Sequence, residues 1–375
     1  MTKPRILIIE NSIALTGALK AIVNVTLYLK SEYNFFYVLP KESLASAWIK
    51  KFDFEFSEWK IWEISKRSIS WIAYFPYLII NAVKLNRIVK EKTINLIHVN
   101  DLYNLIPVAA RLLGCRTPYV CHVRFMPEVF PKVLFDFWLR IHLHFSKKII
   151  VVSEALLRKL PTHQKIELVY DGFPFKSEEM IDDAKKVDSN SYIFLYLANM
   201  ISGKGQNYAL EAFAKVHEQL PAWRLRFVGG DMGLRKNQEY LIRLKEDAEN
   251  LGVSDKIDWF GFTDSVEREY KQADIVLNFS EAESFSMTSL ESLSYERALI
   301  VSNCGGPTEI VKHEKTGLIV ENKNVEAMAD AMIRLASSSA LRMQLAVNGN
   351  KFVREKFNIL VTADKLKVIY QSCMS

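Results

Sequence analysis

The stretch DIVLNFSEAESFSMTSLESLSYERALIVSNCGG, residues 274–306, decides the fold. Its two apolar runs, Ile275–Phe279 and Leu299–Ser302, are continuous rather than alternating, the pattern of strands buried on both faces as in a parallel sheet. Glu283 falls in the loop after the first run, and a helix starting near Met287 carries Glu291 about one turn in. Open α/β sheets bind ligands at the carboxyl ends of their strands, so this loop is where a site is expected.

The same alternation extends outward in both directions. Towards the N-terminus the runs are Arg5–Ile9, Asn34–Leu39, Leu96–Val99, Pro118–Cys121, Lys148–Val152 and Ile166–Val169, then Tyr192–Ala198, Leu225–Val228 and Ile257–Phe260; Gly317–Val320 follows the opening stretch. Helix-length patterns such as Asn207–Gln219 and Gln238–Asn250 separate them, which predicts an α/β, doubly wound chain. The pattern pauses once, over the polar residues 171–191, and ends in two strandless helical patterns over 340–375. A length of 375 residues suits two cores. The expected division is a first Rossmann-like domain over 1–172, a linker over 173–191, a second over 192–355 and a terminal helix over 356–375.

The composition, 49% hydrophobic and 25% charged, excludes extended disorder. Cys115, Cys121, Cys304 and Cys373 lack metal-ligand or CxxC spacing and read as reduced thiols. The N-terminal apolar run is short and closes at Glu10, and Ile69–Val83 is broken by Pro76 and Asn81, so neither an export signal nor a bilayer span is expected. These features point to a cytoplasmic protein.

The chemistry gathers at one edge of the second predicted sheet. Glu283 and Glu291 flank the segment Phe285, Ser286, Met287 and Thr288, whose backbone N–H groups open a helix and suit phosphate. Carboxylates beside such a cradle suit a ligand with vicinal hydroxyls, since each accepts two hydrogen bonds. Lys204 stands between Gly203 and Gly205 at an earlier strand-to-helix junction, without Walker A spacing, where its ammonium can meet a diphosphate as a point charge. Gly305 and Gly306 let the backbone pass close to a ligand.

Together, the Lys204 loop, FVGGD, WFGF, the Glu283 to Glu291 pair, NCGGPTEI and TGLIV resemble the retaining glycosyltransferases of family 4 over nearly the whole second half. That resemblance implies the GT-B fold: two Rossmann-like domains facing each other across a cleft, with the C-terminal helix crossing back to the first. It also implies transfer of a hexose from a nucleotide-diphosphate-sugar donor to a glycan or lipid-linked acceptor with retention, in polysaccharide or lipopolysaccharide biosynthesis. No cofactor or metal is implied. In those terms His122, Lys204 and Glu283 are catalytic. Gly17, Asn199, Lys204, Phe285, Ser286, Met287, Thr288, Glu291 and Phe262 bind the donor, Glu283 meeting the sugar hydroxyls and Glu291 the ribose. His122 is expected just after a strand. Asn199 departs from the family, which usually has an arginine there; Arg124 or Lys20 are candidates to compensate.

Two other readings stay open: a nucleotide-sugar epimerase of the same fold, and a catalytically weak nucleotide-sugar-binding protein. Nucleic acid is not an expected partner. Residues 1–175 carry 24 Lys and Arg against 14 Asp and Glu, whereas residues 176–375 carry 25 against 29. Basic and aromatic residues mix over 48–92 (Trp48, Lys50, Lys51, Trp59, Trp62, Lys66, Arg67, Trp71, Tyr74, Phe75), so peripheral contact with an anionic membrane at the inner face is expected. Solvated charges over buried rings are the alternative.

Overall fold

The computed structural model describes residues 3–61, 69–175 and 191–375, the side chains of residues 69–73 excepted. The chain divides into one unit of Met1–Pro174 with Ile359–Ser375 and a second of Phe175–Asn358. The expected linker lies for the most part outside the described residues.

The first unit alternates strands β1 (Arg5–Ile9), β2 (Asn34–Pro40), β3 (Glu55–Trp59), β4 (Leu96–Val99), β5 (Tyr119–Val123), β6 (Lys148–Val151) and β7 (Ile166–Leu168) with helices α1 (Gly17–Leu29), α2 (Leu44–Lys50), α3 (Ile69–Glu91), α4 (Ile106–Leu112), α5 (Lys132–Phe145) and α6 (Glu154–Leu157). The strands form one parallel sheet in the order β3-β2-β1-β4-β5-β6-β7. Ile6, Leu7, Ile8 and Ile9 are wholly buried, because helices cover both faces of a parallel sheet and an unbroken apolar strand satisfies both. β3 has no counterpart among the sequence runs. Its residues, EFSEW, mix charge with apolar side chains because it is an edge strand paired only with β2.

The second unit repeats the plan with β8 (Tyr192–Leu197), β9 (Trp223–Val228), β10 (Ile257–Phe260), β11 (Ile275–Asn278), β12 (Ala298–Ser302) and β13 (Leu318–Val320). The intervening helices are α7 (Gln206–Val216), α8 (Arg235–Asn250), α9 (Val266–Gln272), α10 (Met287–Ser294) and α11 (Pro307–Ile310), followed by α12 (Val325–Ala336) and α13 (Ser339–Lys356). Its parallel sheet runs β10-β9-β8-β11-β12-β13. In each sheet the order reverses direction beside the unit's first strand, between β1 and β4 and between β8 and β11, which opens a crevice at the strand carboxyl ends.

The last helix, α14 (Ile359–Met374), belongs to the first unit. Ile359, Ala363, Leu366, Ile369 and Tyr370 join the core formed by Ile6, Ile8, Leu96 and Val120 with α1. Gly172 meets the start of this helix so closely that a Cβ there would lie 2.6 Å from the Ile359 Cα.

Candidate active site

In the second unit the loops after β8 and β11 meet at the switch point. Lys204, in the loop after β8, places its Nζ 2.7 Å from Oε1 of Glu283, in the loop after β11. The Ser280 hydroxyl donates to the same oxygen at 3.0 Å. Oε2 of Glu283 accepts no hydrogen bond from the described residues, and the Lys204 and Glu283 side chains are 34% and 17% exposed, so the pair is reachable from solvent. Tyr196 ties the two loops together: its hydroxyl donates to the Lys204 carbonyl at 2.5 Å and accepts from the Phe279 amide at 2.8 Å. Burial pushes that phenol well above its ordinary range, so it stays a donor.

Glycine lets the loops approach this closely. Gly205, at φ +83°, caps α7; a Cβ there would lie 2.0 Å from the Phe279 carbonyl oxygen. A Cβ on Gly306 would lie 2.4 Å from the Phe285 Cα. The backbone of Glu283 is held by the Gly306 amide donating to its carbonyl at 2.9 Å.

Ser286 caps α10 in a left-handed conformation, φ +100°, which costs a non-glycine residue on the order of 1–3 kcal/mol. Asn278, at the end of β11, holds it there, with Nδ2 donating to Ser286 Oγ at 2.8 Å and to Ser289 Oγ at 3.2 Å. This turn leaves the first amides of α10 without intrahelical acceptors, beside the Lys204–Glu283 pair in the chain's loop. One turn in, Glu291 is buried, and Tyr270 donates to its Oε2 at 3.1 Å. Asn199 stands half-buried after β8; its carbonyl accepts from Gln206 Nε2 at 2.8 Å, and its side-chain amide makes no hydrogen bond with the described residues. Phe262 is half exposed beside Gly230, towards the β9–β10 edge of the sheet.

The first unit's switch point is built differently. Glu10 follows β1, and its Oε1 accepts from the Asn11 and Ser12 amides, each at 2.9 Å, and from the Ser12 hydroxyl at 2.7 Å. Its Oε2 accepts from Asn100, after β4. Gly17 opens α1 behind Thr16, whose hydroxyl caps the Leu19 amide. His122 lies within β5 rather than after it, 2% exposed, because the strand runs two residues beyond the apolar run read from the sequence. Arg124 is not available to compensate for Asn199. Its guanidinium pairs within the first unit with both oxygens of Asp171, and the two side chains are 4% and 10% exposed. Beside these groups, Asn11, Tyr74, Tyr77, Asn81, Tyr103 and Asn104 line a pocket. Asn11 Nδ2 and Asn81 Oδ1 are buried there without a partner among the described residues.

The basic and aromatic stretch is only partly a surface. Trp59 and Tyr74 are buried, at the end of β3 and on α3, whereas Phe75 is exposed. Trp62, Lys66, Arg67 and the Trp71 side chain lie outside the described residues. Among the described residues no helix is long and apolar enough to cross a membrane, and no cluster of three His, Cys, Asp or Glu could hold a metal.

A family model for glycosyl transferases group 1 matches residues 177–352, and one for glycosyltransferase family 4 matches residues 45–174. HepE of Anabaena, solved in complex with UDP and glucose, superposes with a TM-score of 0.83 at 17% identity, over 98% of this chain and 99% of that one. The two parallel sheets and this superposition give the chain the GT-B fold. Sucrose-phosphate synthase of Thermosynechococcus elongatus shares the GT-B fold with a TM-score of 0.80 at 18% identity, over 99% of both chains. Among sequence relatives, an uncharacterised glycosyltransferase of Methanocaldococcus jannaschii is 28% identical over 61% of each chain, so the match spans less than two thirds of that relative. N-acetyl-alpha-D-glucosaminyl L-malate synthase of Bacillus anthracis is 22% identical over 82% of each.

The sequence reading of this GT-B chain missed Tyr196, Tyr270, Asn278 and Ser280, which shape the site from strand ends and a neighbouring helix. Their one signal is position. Tyr196, Asn278 and Ser280 sit within two residues of the carboxyl ends of β8 and β11, the strands that flank the crevice.

Proposed function

We propose that the chain transfers a hexose from a nucleotide-diphosphate-sugar donor to a glycan or lipid-linked acceptor with retention of configuration. The observation that carries this reading is the Lys204–Glu283 pair, 2.7 Å apart at a switch point whose next helix opens with free amides. Ammonium and helix N-terminus together suit a diphosphate, and the unoccupied Glu283 Oε2 suits sugar hydroxyls. Glu291, buried and fixed by Tyr270, has the rigidity to grip a ribose diol. UDP and UDP-glucose in the HepE structures support a nucleotide-sugar donor. A related mannosyltransferase of Mycobacterium tuberculosis acts on a phosphatidylinositol monomannoside and is GDP-mannose-dependent, which supports a lipid-linked acceptor.

The reaction forms a bond from the acceptor oxygen to the anomeric carbon and breaks the bond from that carbon to the diphosphate. In a front-side displacement the acceptor's proton passes to the leaving phosphate oxygen, and the protein contributes positioning and charge. Lys204 and the first amides of α10 stabilise the charge that develops on the diphosphate.

On the acceptor side, α3 exposes Phe75, Ile79, Ile80 and Val83, with Phe75, Ile79 and Val83 spaced by four on one face and Lys84 beside them. An apolar stripe beside a cation suits an anionic membrane surface.

The test is a panel of UDP- and GDP-sugars, with and without lipid extract. Free nucleoside diphosphate together with a glycosylated acceptor is the expected product, its anomeric configuration that of the donor. An isomerised donor, or binding without turnover, contradicts the proposal. Co-sedimentation with anionic vesicles that falls with salt and is lost in Ile79→Ser/Val83→Ser supports the membrane contact, and a protein indifferent to vesicles at low salt removes it.

A further inference from the structure

His122 ends a chain of hydrogen bonds whose direction can be read from its two boundaries. His98 on β4 and His122 on β5 lie on one face of the sheet, the face that α14 covers. Tyr370 on α14 places its hydroxyl 2.6 Å from His98 Nδ1, and His98 Nε2 lies 2.8 Å from His122 Nδ1. Arg124 Nη2 lies 3.4 Å from that same His122 Nδ1.

Each end dictates a polarity. A guanidinium has no lone pair to offer, so His122 Nδ1 facing Arg124 is an acceptor. Its proton therefore sits on Nε2. At the other end Tyr370 is wholly buried, and His98 Nδ1 is its one hydrogen-bond partner among the described residues, so the buried O–H donates there. His98 Nδ1 is then an acceptor and its Nε2–H the donor to His122. The two boundary conditions agree. They leave His122 Nε2–H, a buried donor with no partner among the described residues, as the open end of the chain. Burial and the nearby Arg124 charge hold both imidazoles neutral, His98 at about 3 and His122 well below its ordinary range.

We propose that Tyr370 and His98 from one side, and Arg124 held by Asp171 from the other, lock His122 as the Nε2–H tautomer, which presents a hydrogen-bond donor to a substrate oxygen and does not act as a proton acceptor. Tyr370, His98, Arg124 and Asp171 are positioning residues in this arrangement. The last helix of the chain thereby sets the polarity of a group in the first unit's sheet. The role towards substrate rests on the transferase reading; the tautomer does not.

The test uses the full-length chain labelled with 15N-histidine, with long-range proton–nitrogen spectra assigned by His98→Asn and His122→Asn. At neutral pH both His98 and His122 are expected to be protonated on Nε2 alone. In Tyr370→Phe the His98 Nδ1 resonance is expected to shift as it loses its donor, while His122 keeps its tautomer because Arg124 remains. An Nδ1–H tautomer, an imidazolium or rapid averaging at His122 in the unaltered chain overturns the lock, whatever the enzyme's activity. The second arm is turnover with the donor found in the panel above. His122→Gln carries an N–H near the Nε2 position, whereas the shorter side chain of His122→Asn reaches only the Nδ1 position. The glutamine variant is expected to turn over about tenfold or more faster than the asparagine variant. Equal loss in both, with the lock intact by NMR, overturns the donor role and leaves the transferase reading standing.

Discussion

The two switch points of this molecule share a topology and differ in what they do with their polar groups. Between β8 and β11 a carboxylate and an ammonium meet at 2.7 Å in a solvent-reachable loop, with an oxygen of Glu283 left without a donor. Between β1 and β4, Glu10 spends both carboxylate oxygens on its own loop and on Asn100, and the neighbouring strands carry an imidazole chain sealed under α14. The fold supplies the crevice in both cases. Whether it becomes a ligand cradle depends on whether local side chains use up its hydrogen-bonding capacity. The second unit keeps that capacity open with glycine at 205 and 306; the first spends most of it internally and leaves His122 Nε2, Asn11 Nδ2 and Asn81 Oδ1 buried without partners among the described residues.

The comparison breaks most readily under acid. His98 is held at about 3, His142 at about 4 and His122 well below the ordinary value of 6.5, in each case chiefly by burial. Between pH 6.5 and those values the unfolded chain binds more protons than the folded one. Stability is therefore full above pH 6.5 and falls as pH falls. Each imidazole contributes a loss of up to about 1.4 kcal/mol per pH unit between pH 6.5 and 5, opposed by Asp101 and Asp171, whose carboxyl pKa values burial raises. Urea unfolding across that range measures it, and His142→Gln should make the slope shallower. A slope that His142→Gln leaves unchanged contradicts a neutral, buried His142.

A smaller effect, on activity, tests the open side. Lys204→Ala is expected to lower turnover roughly 10²–10³-fold, the cost of one preorganised donor to developing charge. Full activity without Lys204 would put the diphosphate elsewhere.

Much of this plan was legible in the sequence. Short apolar-rich runs locate every strand except β3, whose charged residues answer to solvent on an open edge rather than to the core. Glu283, Glu291 and Lys204 stand out as types at strand ends, yet the contact between Lys204 and Glu283 joins residues 79 positions apart, which no local pattern records. The same holds more strongly for Tyr370 and His98, separated by 272 positions. Burial was the other blind spot. Trp59 and Tyr74 look like interface residues beside so many cations, but β3 and α3 turn them into the core.

The smallest expected effect concerns Asn199. Its side-chain amide makes no hydrogen bond with the described residues, so an arginine there meets no competing partner among them. Replacing a neutral donor by a charged one should tighten nucleoside diphosphate binding by about 1 kcal/mol in Asn199→Arg. Weaker binding would mean that the diphosphate avoids this loop.

The central claim, that the second unit's switch point divides a nucleotide sugar between two glutamates, is tested most directly by calorimetric titration of free UDP and GDP into the unaltered chain, Glu283→Ala and Glu291→Ala. Glu291→Ala is expected to weaken whichever nucleotide binds by roughly 1–3 kcal/mol, the loss of charged hydrogen bonds to the ribose. Glu283→Ala removes the sugar contact and also the ion pair with Lys204; with Lys204 still present for the diphosphate, nucleotide affinity should not weaken while transfer is abolished. Equal losses of nucleotide affinity in the two variants, or none in either, would contradict the account.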